Sequence, residues 1–271
     1  MIQIIPLRLD TLCNHLNENL QGDNVITQLE VCIDNIESLH HAITGGATRI
    51  ELCSSLSLGG LTPSYGFMRQ AARASTIPIY AMIRPRQGDF LYSDEDIDVM
   101  SEDIKSAHRA GLDGVVFGAL TEQGEVHIPY CTKLCELAQS LNMGTTFHRA
   151  FDQCCNVETA LEQIINLGCE RVLTSGLGAT ATEGADVIKS LVEQAGNRLA
   201  IMAGAGINAS NVRSLVEQTG VQEVHLSGKT TRPSHMSFVA EHSKMGSADV
   251  DDFMIPITSS QAIANVVKAL R

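Results

Sequence analysis

The stretch QLEVCIDNIESLHHAITGGATRIELC, running from Gln28 to Cys53, decides the fold. Its two ends, Gln28 to Ile33 and Arg49 to Cys53, are short apolar runs in which every second side chain is polar, charged or a thiol, the period of a strand. Between them Ile36 to Gly45 has helical period and stops at Gly45-Gly46-Ala47, a helix C-cap followed by a turn back into extended chain. Strand, helix, strand within one short segment is a βαβ unit.

The same rhythm continues outward, with each unit roughly 25 to 30 residues long. Further strands are predicted at Ile77 to Pro85, Gly114 to Thr121, Gly144 to Phe151, Arg171 to Gly176, Ala200 to Ile207 and Glu223 to Gly228. Helices are predicted at Gly66 to Ala74, Asp94 to Ala110, Tyr130 to Leu141, Val157 to Leu167, Ala185 to Gln194, Asn211 to Gln218 and Ser260 to Leu270. Glycine stops recur at Gly111-Leu112-Asp113-Gly114 and Gly168-Cys169-Glu170. Strict alternation of this kind describes an α/β protein, a single-domain (β/α)8 TIM barrel over residues 28–271. Residues 1–27 are an N-terminal extension. Lys229 to Ser259 reads as a long loop, beyond ordinary connection lengths and suited to a lid or a subunit contact.

The chain has 271 residues, a formal net charge of −12 and no tryptophan. An acidic surface poor in aromatics disfavours nucleic acid and anionic membranes as partners. No apolar run approaches the roughly 18 to 20 residues that span a bilayer. The extension carries Ile4, Ile5 and Leu7 but lacks the three parts of a signal peptide, so a cytoplasmic location is expected. The 8 cysteines are expected to be reduced thiols rather than a disulfide framework.

Alternation assigns faces. Leu29, Val31, Ile50 and Leu52 must meet the helices, which sends Glu30, Cys32, Arg49, Glu51 and Cys53 into the barrel. The same rule sends Ile79, Ala81, Ile83 and Phe147 outward and Arg84, His148, His225 and Ser227 inward. Barrel interiors are ordinarily filled by branched apolar side chains, so this much charge must be either a paired structural network or a binding site. Arg49, at the start of its strand, lies far from the expected site at the C-terminal strand ends.

The loops at those ends are rich in chemistry. Met82 to Phe90 supplies Arg84, Arg86 and Asp89, and Thr146 to Asp152 sets His148 beside Arg149 and Asp152. Met202-Ala203-Gly204-Ala205-Gly206-Ile207-Asn208 and Ser227-Gly228-Lys229 follow the last two strands, where barrels commonly hold phosphate. Arg84, Arg86, Arg149, Gly204, Gly206, Ser227 and Lys229 are therefore the candidate anion-binding residues. His148, Glu30, Glu51, Asp89 and Asp152 are the candidate acids and bases of an enzyme acting on a small anionic or phosphorylated metabolite.

From about Leu29 to Gly246 the sequence resembles the CutC copper-homeostasis family. The motifs are Leu29-Glu30-Val31-Cys32, Arg49-Ile50-Glu51-Leu52-Cys53, Gly59-Gly60-Leu61-Thr62-Pro63-Ser64, the Met82 to Phe90 loop with Tyr92-Ser93-Asp94, Thr146 to Asp152, and Arg171-Val172-Leu173-Thr174-Ser175-Gly176. The resemblance implies a TIM barrel, a cytoplasmic homo-oligomer (dimer or tetramer), and copper(I) held by Cys32 and Cys53, soft ligands suited to that ion. This chain departs from the pattern in its Gly204-Ala205-Gly206 loop, where some members have three glycines, at Gln87 and at Gly228. Cys131 and Cys135, grouped with Ile128 and Ala138, read as a core stripe. Cys13, Cys154, Cys155, and the loop residues His235, Met236, His242 and Met245 are weaker candidates. Three readings stand side by side: copper homeostasis, with a copper ion as partner; chemistry on a small anionic ligand; and a non-catalytic assembly scaffold whose long loop and extension make contacts, which leaves the charged interior unexplained.

Overall fold

The computed structural model describes residues 26–239 and 251–271. Most of the extension, with Cys13, and the loop residues His242 and Met245 lie outside the described residues. No described helix is long and apolar enough to cross a membrane.

Among the described residues eight parallel strands close a barrel in sequence order. They are β1 (Gln28–Ile33), β2 (Arg49–Leu52), β3 (Ile79–Met82), β4 (Gly114–Phe117), β5 (Gly144–Phe147), β6 (Arg171–Thr174), β7 (Ala200–Gly204) and β8 (Glu223–Leu226). Around them run α1 (Ile36–Gly45), α2 (Tyr65–Ala74), α3 (Asp94–Ala110), α4 (Ile128–Ser140), α5 (Val157–Leu167), α6 (Ala185–Ala195), α7 (Val212–Thr219) and α8 (Ser260–Leu270). Closure leaves no free sheet edge.

The strands stop earlier than their hydrophobicity suggests. Ile83, Ala119, Leu120, Ala150 and Phe151 are buried although they follow the last ladder residue of their strand. Loop residues at the barrel mouth are packed there, so they read as strand. Helix starts follow the side chains that cap them: Asn35, Ser64, Asn156 and Ser259 each accept an amide of the first turn. Ser93 and Asp96 form a reciprocal capping box on α3.

The outward strand face and the helices build the main core, in which Leu29, Val31, Ile50, Leu52, Ile79, Ala81, Ile83 and Phe147 all take part. On α4, Cys131, Cys135 and Ala138 are buried in that core, whereas Ile128 at its first turn is partly exposed. Inside the barrel a small second cluster holds Cys53, Tyr80, Met82 and Val116. Tyr80 needs glycine beside it: a Cβ on Gly114 would fall 2.5 Å from its ring, and one on Gly144 would fall 2.0 Å from its hydroxyl.

The floor of the barrel is ionic. Arg49 pairs with Glu30 and, at 2.7 Å, with Glu223; Arg171 bonds the same Glu223 carboxylate at 3.1 Å and Glu170 at 2.9 Å. Both guanidinium groups lie over the Tyr80 ring, 5.3 and 5.0 Å from its centre. Arg49 is thus part of a paired network, as its place at the strand start suggests.

The segment expected as a long loop carries structure of its own. β9 (Lys229–Pro233) and β10 (Met254–Thr258) pair antiparallel as a separate two-stranded sheet. It is fastened to α1: Arg232 makes a two-pronged bond to Glu37, His41 meets the Thr258 carbonyl at 2.8 Å, and the Thr258 amide donates to Ser38 at 2.9 Å. This sets Pro256, Ile257 and Thr258 against the barrel mouth.

Candidate functional site

A cavity of about 450 Å3 opens at the C-terminal ends of the strands. Its walls include Cys32 after Val31 of β1, Glu51 of β2, Met82 and Arg84 from the end of β3, His148 and Arg149 beyond β5, His225 of β8, and Ser227 and Lys229 leading into β9. Strand alternation delivers the inner group, because Cys32 stands level with Glu51 across the β1–β2 ladder, and Glu30 with His225 across β1–β8.

Three ligand atoms meet on one side. The Cys32 thiol, a Glu51 carboxylate oxygen and a His225 ring nitrogen all lie within 4.8 Å of one another, and all three residues are buried. His225 is held from behind, its Nδ1 at 2.8 Å from Glu30, so Nε2 faces Cys32 and Glu51. Burial raises the Glu30 carboxyl, but Arg49 and His225 outweigh it and hold the pKa at about 2. Burial disfavours charge on His225, yet Cys32, Glu51 and Glu30 keep its pKa well above the ordinary value. Glu51 is pushed up by burial above all, and its Oε1 has no hydrogen-bond partner.

Cys53 lies behind this group. It is fully buried, its thiol donates to Glu51 at 3.5 Å, and burial together with Glu51 pushes its pKa well up.

The wall beyond the end of β3 is cationic. The motif Gly59-Gly60-Leu61-Thr62 wraps Arg84: both glycines have left-handed φ, 85° and 84°, and the loop turns the Leu58 and Gly60 carbonyls onto Nη1 at 3.0 and 3.2 Å. The Gly88 carbonyl takes Nη2 at 2.8 Å, and Phe90 lies 5.0 Å from the guanidinium. His148 lines the same wall, with its ring 4.8 Å from that of Phe90. The Ala150 amide donates to His148 Nδ1 at 3.2 Å, and burial reinforced by Arg84 lowers the ring's pKa to about 3. The neutral ring therefore carries its proton on Nε2.

The remaining expected residues are spread around this centre. Arg149 lines the cavity while bonded to Asp152 at 2.7 Å and Ser175 at 2.8 Å. Asp152 is turned away, accepting from the Ser175 amide and hydroxyl and tying the turn after β5 to the end of β6. Arg86 and Asp89 pair with each other at 2.8 Å on the exposed outside of their loop, apart from the cavity walls. Gly204 packs against Leu173, where a Cβ would come within 2.6 Å, and Gly206 takes a left-handed φ of 74°; neither belongs to the cavity wall. Ser227 and Lys229 do.

Sequence reasoning placed His225 inside the barrel without giving it chemistry, and it overlooked Glu223 and Arg171. The available signal was the alternation Glu223-Val224-His225-Leu226-Ser227, which puts an acid, an imidazole and a hydroxyl on one face.

The match to the CutC family covers residues 27–230. The family protein CutC of Vibrio parahaemolyticus is 70% identical over 247 residues, 91% of this chain and 100% of that relative. Its counterpart in Vibrio cholerae is 60% identical over 243 residues, 90% of this chain and 96% of that one. Among solved structures, CutC from Streptococcus agalactiae, described as a candidate copper homeostasis protein, superposes with a TM-score of 0.70 at 33% identity, over 74% of this chain and 98% of that one. Phosphoribosyl anthranilate isomerase from Thermotoga maritima shares the fold alone, with a TM-score of 0.53 at 15% identity over 90% of this chain and 98% of that one. The match over most of the barrel and the identity along nearly the whole length of the relatives agree with the fold, and the chain belongs to the CutC family.

Proposed function

We propose that this protein is a copper-homeostasis protein that binds copper(I) at the barrel mouth, through Cys32 and His225 with Glu51 beside them. The observation that carries the reading is the cluster itself: a thiol, an imidazole nitrogen and a carboxylate oxygen within 4.8 Å, one of whose oxygens is buried without a partner. The donor set suits the ion, since copper(I) favours soft thiolate and also accepts imidazole. His225 is braced in the manner of metal-binding histidines, with its second ring nitrogen on a carboxylate that fixes its orientation. The S. agalactiae relative, described as a candidate copper homeostasis protein, supports the same assignment.

Cys53 has a supporting place in this reading. Its thiol bonds Glu51 from outside the cavity, and direct ligation would require the loss of a proton that burial and Glu51 hold tightly.

Copper(I) titration against a competing chelator tests the proposal. Cys32→Ser and His225→Gln should each weaken binding by about a hundredfold, roughly 2.7 kcal/mol. Glu30→Gln should weaken it by about 10- to 100-fold through loss of the brace. Cys131→Ser, in the α4 core, should leave it unchanged. Unaltered affinity in Cys32→Ser would overturn the reading, and an equal loss in Cys53→Ser would make the two thiols the ligand pair.

A further inference from the structure

Copper(I) has no use for the wall formed by Arg84 and His148, yet that wall is built with care. Arg84 is 7% exposed, and three backbone carbonyls hold its two terminal nitrogens in place. Among the described residues no carboxylate pairs with it, and its Nε has no hydrogen-bond acceptor. Tyr92 packs close by, its hydroxyl likewise buried without a hydrogen-bond partner; burial pushes its pKa up to about 12 against the pull of the Arg84 charge, so it stays neutral and supplies no countercharge. A buried cation without a counterion is costly, by several kcal/mol in typical proteins.

His148 repeats the pattern. It is 3% exposed, its Nδ1 is taken by the Ala150 amide, and its Nε2 is buried without a partner. With the proton on Nε2, this is a second donor that has nothing to donate to. The two groups flank one Phe90 ring, at 5.0 and 4.8 Å, on the wall of the same cavity. Arg149 and Lys229 border that cavity further out, and Lys229 makes no ion pair among the described residues. The carboxylates of the lining, Asp34 and Glu51, belong to the β1–β2 side, where Asp34 is bonded to the Leu56 amide and Glu51 to Cys53.

We propose that Arg84 and His148 form an oxyanion subsite, which takes the carboxylate or phosphate group of a small molecule entering the cavity. The anion supplies the countercharge that Arg84 lacks and accepts from Arg84 Nε and His148 Nε2. Two donors already held in place by neighbouring backbone groups favour such a group, because charge-assisted hydrogen bonds to an oxyanion are the strong ones. The subsite stands on different residues from the copper cluster and does not depend on it.

Thermal melts of the full chain in chloride, with inorganic phosphate or malonate added at constant ionic strength, test the subsite. At least one anion should raise the melting temperature saturably, by about 5 °C at a hundredfold excess over its dissociation constant. The anion that acts identifies the group as phosphate or carboxylate. The shift should vanish in Arg84→Met and His148→Gln and persist in Lys189→Ala, on the exposed face of α6. Arg84→Met removes an unpaired buried charge but also strips the Leu58, Gly60 and Gly88 carbonyls of their donor, so His148→Gln, which leaves those bonds intact, provides the independent check. Persistence of the shift in Cys32→Ser would keep this result separate from that of copper binding. No shift with either anion, or a shift that survives both wall variants, would overturn the proposal.

Discussion

At His148 one ring joins stability to the chemistry of the site. Burial and the Arg84 charge lower its pKa from 6.5 to about 3. Below 6.5 the unfolded chain binds a proton that the folded chain refuses until about pH 3. The contribution of the neutral ring is therefore complete above that upper value and is lost as the pH falls through the window. Urea unfolding at both ends of the window should show a smaller acid-induced loss of stability in His148→Gln than in the parent chain. Equal losses would show that another group titrates there. The sequence placed His148 between a cation and a carboxylate, but the structure pairs Arg149 and Asp152 with each other and with Ser175, and the neutrality of the ring was not legible. It comes from Phe90 and Arg84, which arrive from another strand end. His225 was hidden for a similar reason: its face follows from alternation, whereas its orientation comes from Glu30 across the β1–β8 ladder.

Among the elements, helices were easier to read than strand ends. Their capping residues and glycine stops are local chemistry, so α1, α3, α5 and α8 begin and end where periodicity places them. Strand ends were overestimated because buried mouth loops are as apolar as strands. The β9–β10 pair was missed because β9 is an exposed polar run that ends at Pro233, and Pro256 interrupts the apolar run of β10, where proline argues against a strand. Glycine shows how far an element's neighbours override local preference. Gly45 ends α1 where a Cβ would fall 2.6 Å from the Ile263 Cβ and 2.7 Å from the Ser260 carbonyl oxygen of α8. Gly66, in the first turn of α2, has nothing within 4 Å of that position. Alanine should therefore act with opposite sign at the two sites. Gly66→Ala should stabilise by about 0.4–1 kcal/mol through the unfolded chain. Gly45→Ala should destabilise by about 1–3 kcal/mol by driving α8 from the barrel. Chemical denaturation of the two variants checks the signs; stabilisation by Gly45→Ala would mean that α1 and α8 can separate freely.

Across the whole molecule, charge runs without a break from the barrel floor to its mouth. Arg49 holds Glu30 ionised, Glu30 braces His225, and His225 faces Cys32 and Glu51 in the cavity. The charged interior is divided by depth: the lower part is paired within the barrel, and the upper part lines the cavity. Arg171 belongs only to the floor, where it shares Glu223 with Arg49 and bonds Glu170. This arrangement separates two variants that look alike in sequence. Arg49→Met leaves the buried Glu30 carboxylate without its main cation, at a cost of about 3–5 kcal/mol, and loosens the carboxylate that orients His225. Arg171→Met leaves Glu223 still paired with Arg49, so a smaller loss of stability is expected. Copper(I) affinity, measured well below either melting temperature, should fall in Arg49→Met and remain at the parent value in Arg171→Met. Equal affinities in both variants would disconnect the floor from the mouth, and Glu30 would then be a structural partner of His225 with no share in holding the metal.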